Sequence, residues 1–120
     1  MQFLIHASPP VVALALARHD HKVHPYTEGD AIQIAREKQW DIITTDAAVA
    51  LAPFGGGKPF GRCIVHLQLS GGDAEMDDAV ERLFARYPRL SPGRLYTVTA
   101  SRVKIRQLPT RRIRGETGKS

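Results

Sequence analysis

Two aspartates and one histidine are the residues whose type and spacing could support chemistry in this chain. Asp46 directly follows the β-branched run Ile42 to Thr45. His6 ends the short apolar run Gln2 to Ile5, and Asp30 precedes a helix-forming segment. Carboxylates suit magnesium or manganese, whereas an imidazole shifts the preference toward manganese or zinc. These three side chains are therefore candidate ligands of one divalent ion.

The two aspartates also have a purely structural interpretation. Asp30 and Asp46 each stand just before a segment that favours a helix. A carboxylate in that position accepts hydrogen bonds from the free amides of the first helical turn. Capping alone would explain both residues, so the structural and the chemical interpretations stay open at this point.

The order of the predicted elements indicates how these residues could be positioned. Apolar and β-branched runs alternate with helix-forming segments, and the last two runs alternate apolar and polar residues as a hairpin does. The predicted strands are 2–6, 21–24, 40–45, 63–69, 94–99 and 103–108, and the predicted helices are 11–18, 30–39, 47–52 and 73–87. This pattern predicts a three-layer α/β domain with a mostly parallel sheet and a C-terminal β-hairpin.

Right-handed crossovers would bring the carboxyl ends of the parallel strands to one rim of that sheet. If the first and third strands are neighbours and the second lies outside the first, the winding reverses between them. His6 and Asp46 would then flank the switch point, where ligands bind in open α/β sheets. Asp30 would approach from the side. His66, in the middle of a predicted strand, is interpreted as a packed or hydrogen-bonded core residue.

Two local predictions concern the connections between elements. Ser8 is predicted to cap the first helix, with a proline near the first helical position. Pro53 to Gly61 is predicted to be a loop because it is rich in glycine and proline. Its stretch Gly55 to Lys58 lacks the spacing of a phosphate-binding loop, so a lid or a plain linker is the preferred interpretation.

The composition indicates one ordinary globular domain. The chain has 120 residues, a single cysteine, Cys63, and a formal net charge of +5. Much of the excess positive charge lies after Pro109, so residues 1–109 are predicted to form the domain and residues 110–120 a basic, disordered tail. The tail could attract nucleic acid or only improve solubility. No signal peptide or membrane span is recognised, and a cytoplasmic location is expected.

Several short motifs resemble the small bacterial PIN-like proteins. In that family a first strand ends in Asp-x-Asn, and a Gly-His-x-Val strand and a Ser-Asp-Glu-x-Ile segment lead to Val-x-Thr-Arg-Asp-x-Asp-Phe. The segments that carry the resemblance are 3–8, 21–23, 29–32, 42–46 and the terminal pair 93–99 and 103–109. The resemblance implies a PIN-type α/β/α fold. In intact members it also implies a magnesium- or manganese-dependent ribonuclease, often the toxin of a toxin–antitoxin pair.

The sequence departs from the family pattern in its acidic positions. His6 stands where the first aspartate is expected, and Ser8 stands where the asparagine is expected. Asp30 and Asp46 match the pattern, but the second aspartate after the third strand is replaced by Ala48. The loss of two carboxylates removes most of the charge that would hold a pair of divalent ions.

The resemblance and its departures leave two functional hypotheses. The first is an altered or inactive metal-dependent endoribonuclease in which Asp46, Asp30 and His6 hold manganese or magnesium weakly, if at all. In that site His6 could instead be a general base, and Ser8 would position polar groups. The second is a non-catalytic module that binds RNA or a partner protein. The expected partners are RNA, an antitoxin protein or a second copy of the chain, and not a membrane.

Overall fold

The computed structural model describes residues 1–55 and 59–109. Within those residues the chain forms a mixed α/β domain with six strands, four α-helices and one short 3-10 helix. The elements are β1 Gln2–His6, α1 Pro10–Arg18, β2 Lys22–Pro25, α2 Ala31–Lys38, β3 Asp41–Thr44, α3 Ala47–Leu51, the 3-10 helix Ala52–Gly55, β4 Ile64–Leu67, α4 Asp73–Arg86, β5 Arg94–Val98 and β6 Val103–Gln107.

The strands form a single sheet in the order β2-β1-β3-β4-β5-β6. The first five strands are parallel, and β6 runs antiparallel to β5 as the second arm of a hairpin. The chain therefore moves outward from β1 to β2 and then crosses back to β3, so the condition for a reversal of winding between β1 and β3 is met. The predicted α/β class, the mostly parallel sheet and the terminal hairpin are also confirmed.

Helices pack on both faces of the sheet because successive residues of each central strand point to opposite sides. One hydrophobic cluster joins Phe3, Ile43 and Val65 to residues of α1 and α4. The other cluster joins strand residues such as Leu4 and Ile42 to residues of α2 and α3. Burial on both faces explains why the central strands read as nearly continuous apolar runs.

Capping determines where two helices begin. The Asp30 carboxylate accepts a hydrogen bond from the Gln33 amide at 3.2 Å, and the Asp46 carboxylate accepts one from the Ala48 amide at 2.8 Å. Both predicted N-caps are thus confirmed. The prediction for Ser8 is wrong: the N-cap of α1 is Pro9, and its side chain makes no capping bond. Pro9 is extended there, and Pro10 takes the first helical position, where a missing N–H costs no intrahelical hydrogen bond.

The loop predicted after α3 also needs a correction. Residues Ala52–Gly55 form one turn of 3-10 helix, with Pro53 buried, and so continue α3 before the chain turns away. The rest of the predicted glycine-rich segment includes residues 56–58, which lie outside the described residues, as does the predicted tail 110–120. None of the helices that the structure describes is long and apolar enough to cross a membrane.

Candidate functional site

A row of polar side chains crosses the sheet near the carboxyl ends of its parallel strands. His6 of β1 is the register partner of Thr44 in β3, which in turn pairs with His66 of β4. The row continues through Thr97 of β5 to Lys104 of β6. Register partners in a sheet share a face. The first four residues of the row each lie two positions after a residue that faces α2 and α3, namely Leu4, Ile42, Ile64 and Leu95, so the row lies on that same face. We call the five residues the polar row.

The centre of the polar row is a short chain of hydrogen bonds. His6 Nδ1 lies 2.8 Å from the hydroxyl oxygen of Thr44, and both side chains are buried. The same oxygen accepts a hydrogen bond from the Asp46 amide at 2.9 Å. The Thr44 hydroxyl therefore links the histidine at the end of β1 to the capping aspartate of α3, across 38 residues of sequence.

A tyrosine separates His6 from the third predicted site residue. The Tyr26 ring packs edge-on against the His6 ring, with centroids 4.6 Å apart. The Tyr26 hydroxyl donates to the carbonyl oxygen of Gly29 at 2.6 Å. Asp30 follows that glycine, but its carboxylate caps α2. The structure thus brings the Asp30 turn toward His6 through Tyr26, with no direct contact between the two predicted ligands.

Hydrogen bonds hold the connection between β1 and α1 against the rim. The Ser8 hydroxyl donates to the carbonyl oxygen of His6 at 2.9 Å. The Thr45 hydroxyl donates to the carbonyl oxygen of Ala7, whose φ of 48° is unusual for a residue with a side chain. The Ser8 side chain thus contacts the backbone of His6, and its role as a positioning group stays a prediction.

The donor set suits an ion poorly. One carboxylate oxygen of Asp30 and one of Asp46 accept a hydrogen bond from a helix amide. His6 Nδ1 lies within hydrogen-bond distance of the Thr44 hydroxyl. Within residues 1–55 and 59–109 no group of three or more histidine, cysteine or acidic side chains is arranged to hold a metal ion.

His66 is buried, as predicted for a packed residue, and it also belongs to the polar row. It is 5% exposed, yet it lines two adjoining depressions at the carboxyl rim. Burial lowers the pKa of His66, an effect that the Asp46 carboxylate partly opposes. The lowered pKa favours the neutral imidazole, which carries one donor and one acceptor. Its position opposite Thr44 could be found only from the strand pairing.

Sequence reasoning also missed the basic side of the rim. Thr97 faces Lys104 across the hairpin, and Leu95 faces Arg106. The alternation in the two hairpin strands was the available signal, because it places Lys104 and Arg106 on one face together. Which face that is depends on the packing of β5 in the sheet.

No family model, curated protein or solved structure gives a significant match to this chain. The fold and the rim geometry therefore define the molecule as a three-layer α/β domain with a polar, histidine-containing carboxyl rim.

Proposed function

We propose that this protein is an RNA-binding module on a PIN-like scaffold, with an altered acidic site and no dependence on metal for binding. The observation that carries the proposal is the polar row itself. Two imidazoles, two hydroxyls and a lysine follow one another in register at the rim where a metal-dependent nuclease would need converging carboxylates. The half-buried Thr97 and the exposed Lys104 can contact phosphate and sugar oxygens directly. The other three members of the row, His6, Thr44 and His66, are buried beside them.

The number and the hydrogen bonds of the carboxylates at the rim support RNA binding over RNA cleavage. Asp30 and Asp46 both cap helices, and His6 and Ala48 occupy the two positions at which the resemblance expects further acids. A site with so little converging charge holds an ion weakly. It retains hydrogen-bonding groups, however, and these can recognise RNA without chemistry.

The test is the binding of a fluorescent single-stranded RNA to the full chain, in EDTA and in manganese. We expect saturable binding in EDTA, with intact RNA recovered from both conditions. The same binding measurement is repeated with Asp46→Asn, because asparagine caps a helix as well as aspartate does but carries no charge. If RNA approaches the rim directly, this variant binds more tightly in EDTA because a repulsive charge is gone. Binding that requires manganese, or no saturable binding at all, would overturn the proposal.

A manganese-dependent endoribonuclease of the toxin type is the second candidate. The link from His6 through Thr44 to the Asp46 amide favours it, because these residues stand together at the strand ends as a residual site would require. On this hypothesis an antitoxin protein would be the natural partner. RNA cleavage by the wild type in manganese, lost in Asp46→Asn and in EDTA, would favour this candidate over the first.

A further inference from the structure

A groove opens at the hairpin end of the polar row, between α3 and the β5–β6 hairpin. It has a volume of about 280 Å³ and lies between the α3 side of the sheet and the hairpin. Its floor includes His66, Thr97 and Leu95, and its outer wall is formed by Lys104 and Arg106. We call this the hairpin groove. None of the lining residues that belong to the described part of the chain is acidic.

The two cations of the hairpin groove are free to meet a ligand. Lys104 and Arg106 are exposed, and neither takes part in an ion pair within the residues that the structure describes. The Arg106 guanidinium lies 3.8 Å from the centroid of the Phe54 ring. This stacking orders the guanidinium without using its N–H donors, which remain available for an anion.

The spacing of the two cations suits a chain of phosphates better than a single ion. Lys104 and Arg106 are two residues apart on one strand, so their side chains leave the sheet about 6.8 Å apart. Thr97 stands opposite Lys104 and adds a hydroxyl to the floor. Neutral His66 adds a donor and an acceptor without repelling either cation. The Asp46 carboxylate is close enough to act on His66 through its charge, and it would repel an anion on that side of the histidine.

We propose that the hairpin groove binds successive backbone phosphates of single-stranded RNA through Lys104 and Arg106. This inference rests on the proposed function and names the surface by which the RNA is held. The groove directs the RNA strand along the hairpin toward the polar row. The phosphates of the RNA then lie on the two cations, and its sugars lie nearest to Thr97 and His66. A phosphate backbone matches the charge of the wall because Arg can bind phosphate through two N–H donors.

The experiment compares two doubly substituted full-length chains with the same change of charge. Lys104→Gln/Arg106→Gln removes the groove cations, whereas Lys22→Gln/Lys38→Gln removes two exposed cations from β2 and α2. RNA affinity is measured by fluorescence anisotropy in EDTA at several salt concentrations. Thermal melts establish that both variants are folded, and Arg106→Lys tests whether the guanidinium fork matters beyond its charge.

We expect the groove variant to lose roughly tenfold in RNA affinity or more, and its salt dependence to fall by about 0.7 in log–log slope for each lost contact. The RNA affinity of the control variant should change little. The affinity of Arg106→Lys should lie between those of the groove variant and the wild type. Equal losses in the groove and control variants would overturn the groove assignment while leaving RNA binding intact. An acidic peptide that binds with the same dependence on Lys104 and Arg106 would overturn the assignment to RNA.

A second measurement separates failure of the groove from failure of the proposed function. Inorganic phosphate is titrated into ¹⁵N-labelled protein, and the amide signals of Thr97 and Lys104 are followed in wild type and groove variant. Shifts at these amides that vanish in the groove variant support the groove even if the chosen RNA does not bind, in which case only the RNA function fails. Shifts spread equally over other exposed lysines overturn the groove.

Discussion

The Thr44 hydroxyl oxygen lies 2.8 Å from His6 Nδ1 and also accepts the Asp46 amide hydrogen at 2.9 Å. Thr44 has no exposed surface and His6 is buried, so the imidazole nitrogen has little access to water if the hydroxyl is removed. The relationship makes the end of β1 and the start of α3 depend on one buried oxygen.

Thr44→Val should therefore destabilise the protein although the shape of the side chain is kept. The substitution leaves His6 Nδ1 and the Asp46 amide without a partner, which we expect to lower the free energy of unfolding by about 1–3 kcal/mol. Urea unfolding measures the change. Thr97→Val on the same face is the control, because no hydrogen bond of its side chain occurs within the described residues. Equal effects from the two substitutions would show that the link is energetically unimportant.

Metal binding should be weak, with manganese preferred over magnesium because an imidazole takes the place of a hard carboxylate. Calorimetry with each ion tests this for the wild type and for Asp46→Asn. Asparagine preserves the cap of α3, so a loss of manganese binding would report on ligation and not on folding. Tight magnesium binding, or manganese binding indifferent to the substitution, would show that the predicted ligands are wrong.

Restoring acids at the altered positions should create metal-dependent cleavage if the rim derives from a nuclease site. His6→Asp/Ala48→Asp adds two carboxylates beside Asp30 and Asp46. We expect tighter manganese binding and a small RNA-cleaving activity that EDTA abolishes. The gain is limited because His6→Asp also removes the packing against Tyr26, and because positioning errors near 1 Å are costly.

The control for that gain is the triple variant that adds Asp46→Asn, which should be inactive. A folded double variant that neither binds manganese more tightly nor cuts RNA would refute the assignment of the acidic positions.

Acid should destabilise the protein through two histidines. Burial lowers the pKa of His66, and burial followed by the charge of the N-terminal amine lowers the pKa of His21. His21 Nδ1 accepts a hydrogen bond from that amine at 3.2 Å. A folded-state pKa below the unfolded value of 6.5 means that the folded protein binds fewer protons. The stability is then fully present above pH 6.5 and is lost as the pH falls through the folded values.

Urea unfolding between pH 7.5 and pH 5 checks this dependence. His21→Gln/His66→Gln should show a flatter profile across the interval than the wild type, because glutamine does not titrate. If the two proteins lost stability in parallel, other groups would have to be responsible.

Deletion of residues 110–120 should leave the thermal midpoint nearly unchanged. The domain closes just before this segment, since Leu108 is buried and its amide donates to the carbonyl oxygen of Gly93 at 2.9 Å. A loss of about 1 kcal/mol would lower the midpoint by roughly 4–8 °C in a domain near this size. The midpoint is measured by differential scanning calorimetry. A fall of the midpoint by this amount or more would mean that the segment packs against the domain.

Local sequence determined the element order and the starts of two helices. Asp30 and Asp46 could be recognised as caps because a cap bonds to amides only two or three residues away. Strand positions followed from β-branched and alternating runs in the same local way. Ser8 was misassigned because three consecutive residues, Ser8, Pro9 and Pro10, all suit a helix start, and only the backbone path chooses among them.

Tertiary structure alone decided which side chains meet at the rim. His6 reaches Thr44 across 38 residues, and the Arg106 guanidinium reaches the Phe54 ring from the far end of the chain. Such contacts depend on strand order and register, and a shift of one residue would turn every side chain of a strand to the other face. The sequence supplied the histidines, hydroxyls and cations. Only the sheet brings them together as the polar row and the hairpin groove.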